Sequence, residues 1–461
     1  MVITSDMTGK TRYTVRMPMN RNDGKSAKLV AVEGLLAFMA RAVLHKYKPL
    51  VVGVTGSVGK SSAKEATALV LSGSIRTRKS EGNFNNEIGV PLSILGVGTG
   101  GSAVTRLLSA VVKFSYLMAL PSRYPEALVL ELGVDRPGDM AALLLVTKAR
   151  IGVVTTVGES HLEYFGSVAD IAKEKGRLIA SLPADGFAIL NADDSRVLGM
   201  GKKTKAVVLS YGFASGAAVR ADNVTLQDTD GGIGSSFKLN YAGKSIPVRL
   251  PAVIARHHIA DALAGAAVGI ALGMNLVDIA KRLESFIPFP GRLRFLPGRD
   301  GIGLLDDTYN ASPLSVSAAL STLAEIPAHR KIVALGDMLE LGALSEEGHR
   351  GLADGILSAG VEQAILVGRH MRSLGEELLV RGMSRGNVLL FPDPDSAAAV
   401  VKDLIREGDL VLVKGSQGLR MEKLSAVLLR NPEDAGVLLC RQSATWRAKP
   451  FTPPSEWGKA D

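Results

Sequence analysis

Two alternating series of short apolar runs and helical patterns predict an α/β protein of two domains, each built on a mostly parallel sheet. The first series starts at Pro49. The second starts beyond a break carrying Pro288, Pro290, Gly291 and Pro297. At 461 residues the chain is too long for one compact core, which agrees with two or three folding units. A hydrophobic share of 46% with 50 glycines suits an α/β fold with many tight turns and argues against disorder.

Residues 1–48 read as a leader and one helix, too small to form a domain alone. The apolar run 29–44 is interrupted by Glu33 and Arg41 and is shorter than a membrane span. It follows a polar, basic leader (Lys10, Arg12, Arg16, Arg21, Lys25, Lys28) that does not have a signal-peptide arrangement. A packed amphipathic helix with no transmembrane segment is expected, leaving room for peripheral membrane contact. The single cysteine, Cys440, excludes an intrachain disulfide and fits a reducing cytosol, so a cytoplasmic location is expected. The net charge of +9 admits anionic partners. No basic platform interleaved with aromatics is present, so nucleic acid is not among the expected ones.

Strand-like runs at 127–131, 151–155, 187–190 and 207–209 alternate with helical patterns in a central domain over 49–288. The stretch 217–253 has shorter pieces broken by Asp228, Thr229 and Asp230, and predicts an antiparallel patch beside the main sheet. An alanine-rich helix is expected over 258–272. Runs at 303–306, 331–335, 364–367, 388–391 and 410–413 then predict a smaller, Rossmann-like doubly wound domain over 289–435, although its first turn lacks G-x-G-x-x-G. Residues 436–461, with Pro450, Pro453 and Pro454, read as a poorly ordered tail.

The central domain is organised around V-V-G-V-T-G-S-V-G-K-S-S, residues 51–62. A β-branched run (Val51, Val52, Val54) ends in a glycine-rich turn. A helical pattern with Ala63, Ala66, Leu69 and Val70 follows. Strand, turn and helix together form a phosphate cradle: glycines let backbone N–H groups close on phosphate, the helix dipole favours the anion, and Lys60 neutralises charge. The hydroxyl of Ser61 is placed to ligate Mg²⁺. The strict G-x-x-x-x-G-K-[ST] pattern fails because Val54 stands at its first glycine, and an ordinary strand-to-helix turn is the plain alternative. The loop residues Thr55, Gly56, Ser57, Val58, Gly59, Lys60, Ser61 and Ser62 are the candidate nucleotide contacts.

Four further stretches occur in order: G-N-F-N-N-E-I-G-V-P-L (82–92), E-L-G-V-D-R-P-G-D-M (131–140), V-G-E-S-H-L-E-Y-F-G (157–166) and L-D-D-T-Y-N-A-S-P (305–313). With L-N-A-D-D (190–194), P-G-R-L (290–293), L-G-D-M-L-E-L-G (335–342) and V-K-G-S (413–416), they make the chain resemble the Mur ligase family from about residue 48 to 432. In that family a glycine stands four residues before the loop lysine, as Gly56 does here. The likeness falls on the branch that joins D-alanyl-D-alanine to a UDP-linked muramoyl tripeptide. It implies a P-loop ATPase domain and a C-terminal Rossmann-like ligase domain, ATP and Mg²⁺, and amide formation through an acyl phosphate, with small-molecule substrates.

The resemblance also implies roles. Lys60 would span the β- and γ-phosphates, and Ser61 and Glu131 would hold the bridging Mg²⁺, to which hard oxygen ligands are suited. His161 would help bind a second metal ion. Lys175, with Lys173 as a competing register, falls where the family carries a carbamylated lysine that supports that second metal. Asn83, Asn85 and Asn86 could donate to phosphate or to the transferring group, Asn86 being the catalytic candidate. Arg292 would reach the nucleotide phosphates and Asp307 the ribose hydroxyls. Tyr309, Asn310 and the Gly336–Asp337 turn would shape the same cleft.

Three departures from the family stand out. The loop is reached after only about fifty residues, so the usual UDP-binding domain is expected to be absent or cut to one helix. The adenine-side H-N-x-x-N is here His257-His258-Ile259-Ala260-Asp261, and an ionised Asp261 cannot donate to N7. Thr156 replaces the asparagine before the histidine loop. The alternatives are a folylpolyglutamate-synthase-like ligase, a noncatalytic ATP-binding paralogue, and a nucleotide-driven switch or motor. The last has no need of His161 and Lys175.

Overall fold

The computed structural model describes the backbone strands Val2–Ser5 and Thr11–Thr14 and residues 26–449, apart from residues 83, 159–161 and 230–231. The helix Ala27–Tyr47 leads into a nine-stranded sheet. From one edge the order is Lys244–Leu250, Gly232–Tyr241, Val219–Thr229, Val207–Gly212, Phe187–Asn191, Ile151–Val154, Leu50–Thr55, Ala127–Glu131 and Thr77–Lys79. The last seven of these are parallel, and the strand that opens the phosphate loop lies inside the sheet. The antiparallel hairpins expected within 217–253 form, and they extend this sheet, Tyr211 pairing with Val219.

Burial on both faces explains the uninterrupted apolar runs of the central strands. Val51, Leu128 and Leu130 point into one core, with the helices Ala27–Tyr47 and Val168–Ala180 packed over it. Val52, Val54, Ala127 and Val129 point into the other, beneath the helices Lys60–Ser72 and Arg256–Ala271. Those last two helices approach closely at Gly265, where an added Cβ would stand 2.7 Å from the Ala66 carbonyl carbon.

The second domain is a six-stranded sheet in the order Arg294–Pro297, Gly303–Asp307, Asp409–Lys414, Arg330–Gly336, Val361–Val367, Val388–Phe391. The first pair is antiparallel and the rest are parallel, with apolar cores on both faces. The expectation of a poorly ordered tail fails for residues 436–449. Leu439 and Cys440 are buried, and Arg441 donates to the carbonyls of Thr308 and Tyr309. Apolar and cationic side chains in this segment find partners that its prolines, which lie further on, do not reveal.

Gly265→Ala is expected to destabilise the protein by about 1–3 kcal/mol, because the two helices cannot separate without opening the core. Urea denaturation compared with the parent checks this; an unchanged midpoint would mean that the contact yields.

Candidate active site

The phosphate loop is shaped by what surrounds it. Gly59 has φ of 86°, in the left-handed region, and an added Cβ would fall 2.4 Å from Oδ1 of Asp261 on the neighbouring helix. Chain just beyond the strand Ile151–Val154 braces the loop. Ser57 N–H donates to Thr156 O at 2.7 Å, Gly158 N–H to Ser57 Oγ at 3.0 Å, and Thr156 Oγ1 to Val58 O at 3.3 Å. Thr156 thus supports the loop directly. Thr55 turns its hydroxyl to Leu132 O at 2.8 Å, and Ser62 is buried, so these two serve the shape of the loop.

Lys60 folds back, its Nζ donating to Gly56 O at 2.8 Å and to Ser57 O at 3.3 Å. Lys175, on the helix packed against the opposite face of the sheet, donates to the same Gly56 carbonyl at 2.9 Å. Two lysine nitrogens on one oxygen mark a site arranged for anions. Burial lowers the Lys60 pKa, and the Arg292 charge adds to this against Glu131 and Asp135. Burial and then the Lys60 charge take Lys175 well below its ordinary range. Its neighbour Glu174 instead accepts from the N–H groups of Gly138 and Met140 at 2.9 and 3.1 Å.

Val54 pairs with Glu131 across the sheet, which sets the carboxylate beside the loop. Ser61 Oγ donates to Glu131 Oε2 at 2.8 Å, and Asn85 Nδ2 donates to Oε1 at 3.2 Å. Hydroxyl and carboxylate therefore stand together as hard oxygen donors. That set fits Mg²⁺, which binds through one or two carboxylates and completes its shell with water and substrate phosphate. Asn86 acts locally, where its Oδ1 accepts from the N–H groups of Ile88 and Gly89 and caps the following helix. His161 and Asn83 lie outside the described residues.

Arg292 and Asp307 come to the cleft from the second domain. The Arg292 guanidinium stacks on Tyr309 at 4.0 Å, and its charge acts on Lys60, Asp261, His257 and His258 across the domain boundary. Asp307 accepts from Lys414 Nζ at 2.7 Å and from Leu293 N–H at 3.2 Å. Lys414 also donates to Asn310 O at 2.8 Å. Asp337 does not line the cleft. It is fully buried inside the second domain and accepts from Met371 N–H at 2.9 Å.

Three features are not apparent from the sequence. Lys64, on the phosphate-loop helix, is fully buried 3.6 Å from Glu131 and 3.7 Å from Glu65. Arg441 sits 5.6 Å from the Tyr309 ring, so that ring has a guanidinium from each of two segments. Asp261 is held well above the usual carboxylate range by burial, and Arg292 opposes this only in part. This favours the neutral acid, which carries the O–H donor that an ionised Asp261 lacks. The His257 and His258 rings lie 4.3 Å apart and tilted by 58°, and burial lowers the pKa of both.

Glu131→Gln would leave Lys64 with Glu65 alone. It is expected to cost about 2 kcal/mol or more of stability in the absence of nucleotide. Ser61→Ala, which strands no buried charge, is expected to cost under about 1 kcal/mol. Parallel urea melts separate the two, and equal losses would deny the Lys64–Glu131 pairing.

Comparison with known proteins accords with this geometry. Residues 54–269 match the Mur ligase middle domain, and residues 291–417 match the Mur ligase glutamate ligase domain. The UDP-N-acetylmuramoyl-tripeptide–D-alanyl-D-alanine ligase of Escherichia coli is 33% identical over 414 residues, 88% of this chain and 82% of the relative. That of Bacillus subtilis is 28% identical, covering 86% and 79%. Among solved structures, MurF from Acinetobacter baumannii superposes with a TM-score of 0.72 at 26% identity, covering 87% of this chain and 80% of that one. MurF ligase from Thermotoga maritima in complex with ADP gives 0.70 at 26% identity, with 86% and 83% covered. Folylpolyglutamate synthase from Mycobacterium tuberculosis, at 18% identity and a TM-score of 0.60, shares the fold. A phosphate loop facing a second, Rossmann-like domain, matched across both domains, places this chain in the Mur ligase family.

Proposed function

We propose that the protein is an ATP-dependent ligase that adds D-alanyl-D-alanine to a UDP-N-acetylmuramoyl tripeptide. The observation that carries this reading is the convergence of Lys60 and Lys175 on one loop carbonyl beside the Ser61–Glu131 pair, with Arg292 reaching in from the other domain. The named relatives supply the substrates. A terminal carboxylate oxygen of the tripeptide bonds to the γ-phosphorus as the β–γ bridge breaks, giving an acyl phosphate and ADP. The dipeptide amine then attacks the acyl carbon, the carbon–oxygen bond to phosphate breaks, and the amine proton is lost.

Positioning and charge neutralisation do most of this work. Lys60 swings from Gly56 O onto the phosphates. Ser61 and Glu131 would hold Mg²⁺, which supplies charge neutralisation on the phosphates. Asn85 orients the carboxylate. Arg292, fixed on Tyr309, adds positive charge from the second domain and helps close the cleft, which protects an acyl phosphate from water. The lowered pKa of Lys175 favours the neutral amine, the form that takes up CO₂ to become a carbamate. His161 takes its place in this scheme from the family register alone.

Phosphate release should require the muramoyl-peptide nucleotide and the dipeptide together, and Lys60→Ala should lower it about a thousandfold or more. Release with a folate and glutamate in their place would transfer the assignment to the folylpolyglutamate-synthase-like reading.

Lys175→Arg, which cannot form the carbamate, is expected to lose activity about a hundredfold. Lowering the pH protonates the amine, so activity of the parent should fall on the acid side and recover in part with added bicarbonate. Full activity in Lys175→Arg, or no carbamate signal with isotopically labelled bicarbonate, would remove the modification from the scheme.

A further inference from the structure

The helix Ala103–Ala119 has two apolar stripes where one would suffice. Its inner stripe packs into the core through Leu107, Ala110, Phe114 and Leu117. Its outer stripe, Val104, Leu108, Val112 and Tyr116, runs at four-residue steps and is more than half exposed at every position. The helix Ala27–Tyr47 lies alongside, Phe38 standing 6.4 Å from Phe114 and itself exposed together with Val30. Lys46 ties the pair together by donating to Leu117 O and Met118 O at 2.7 and 3.0 Å. Both helices thus present exposed apolar side chains on neighbouring elements.

The charge of these segments is one-sided in sequence. Residues 26–48 carry four lysines and arginines against Glu33, and residues 102–123 carry three and no acid. The sequence just before the first helix adds Lys10, Arg12, Arg16, Arg21 and Lys25 against Asp6 and Asp23. No helix among the described residues is long and apolar enough to cross a membrane. We propose that the helices Ala27–Tyr47 and Ala103–Ala119 form a docking face for an anionic lipid surface, on which they lie in the plane of the headgroups. An apolar stripe in segments of net positive charge suits that setting, since burial of the aliphatic side chains and attraction to anionic lipid act together. A second copy of the same face would bring like charges together. The inner side of the outer helix reaches the ligase site, Arg106 lying 6.0 Å from the ring of Phe84 in the stretch that supplies Asn85.

Flotation of the full chain with phosphatidylglycerol–phosphatidylcholine vesicles, against phosphatidylcholine alone and at low and high salt, tests this. Binding should need the anionic lipid and weaken with salt. Leu108→Glu with Val112→Glu should lower vesicle binding about tenfold or more while turnover in solution is unchanged. Lys28→Glu with Arg41→Glu leaves the stripe intact and should lower binding about fivefold or more, so a folding failure of the first variant does not decide the matter. Absence of flotation with anionic vesicles, or undiminished binding by both variants, would overturn the proposal. So would a parent dimer in solution that the Leu108→Glu, Val112→Glu variant splits, which would give the face to a second copy.

Discussion

Two missing Cβ atoms allow the helix Arg256–Ala271 to lie directly on the phosphate loop and its helix. At Gly265 the backbones meet near Ala66, and at Gly59 the loop passes against Asp261. Much of the site follows from that contact. It dehydrates Asp261 and the two histidines, which raises the carboxyl's proton affinity and lowers that of both rings. The contact is steric, and its consequences are mainly electrostatic.

The second domain is joined to this arrangement through a few residues after the linker. Gly291 N–H donates to Asp306 at 3.0 Å, and Tyr309 N–H donates to Gly291 O at 2.9 Å. The turn that carries Arg292 is thus fixed to the strand end that carries Asp307. Arg441 then holds the backbone of Thr308 and Tyr309 from the C-terminal segment. Arg292 is presented to the cleft as part of a built unit, which suits a Mur ligase that must bring charge from one domain to phosphates held by the other.

The strands and the phosphate loop are legible in the sequence because buried parallel strands leave long apolar runs and the loop has a recognisable glycine–lysine spacing. Lys175 is legible only through its family register: as a residue it resembles any helix lysine, and its burial depends on a sheet face formed by distant strands. Lys64 escapes for the same reason, since its partner Glu131 is far away in sequence. Asp261 reads in the sequence as a residue that cannot donate when ionised, and its raised proton affinity comes from a helix packing that no local pattern encodes. The outer helix escapes because apolar residues on both its stripes blur the helical period. The packing of segment 436–449 is hidden because the prolines beyond it dominate the composition of the C-terminal stretch.

The shared Gly56 carbonyl has a thermodynamic consequence. Lys60 and Lys175 are both buried, the Lys60 charge lowers the hold of Lys175 on its proton, and both have pKa values below the ordinary lysine range. Phosphate entering the loop brings the negative charge that the pair lacks and raises proton affinity there. Binding of an anion in the loop would therefore be linked to protonation of Lys60. Its heat would then include the ionisation enthalpy of the buffer, and its apparent affinity would fall as the solution became more alkaline.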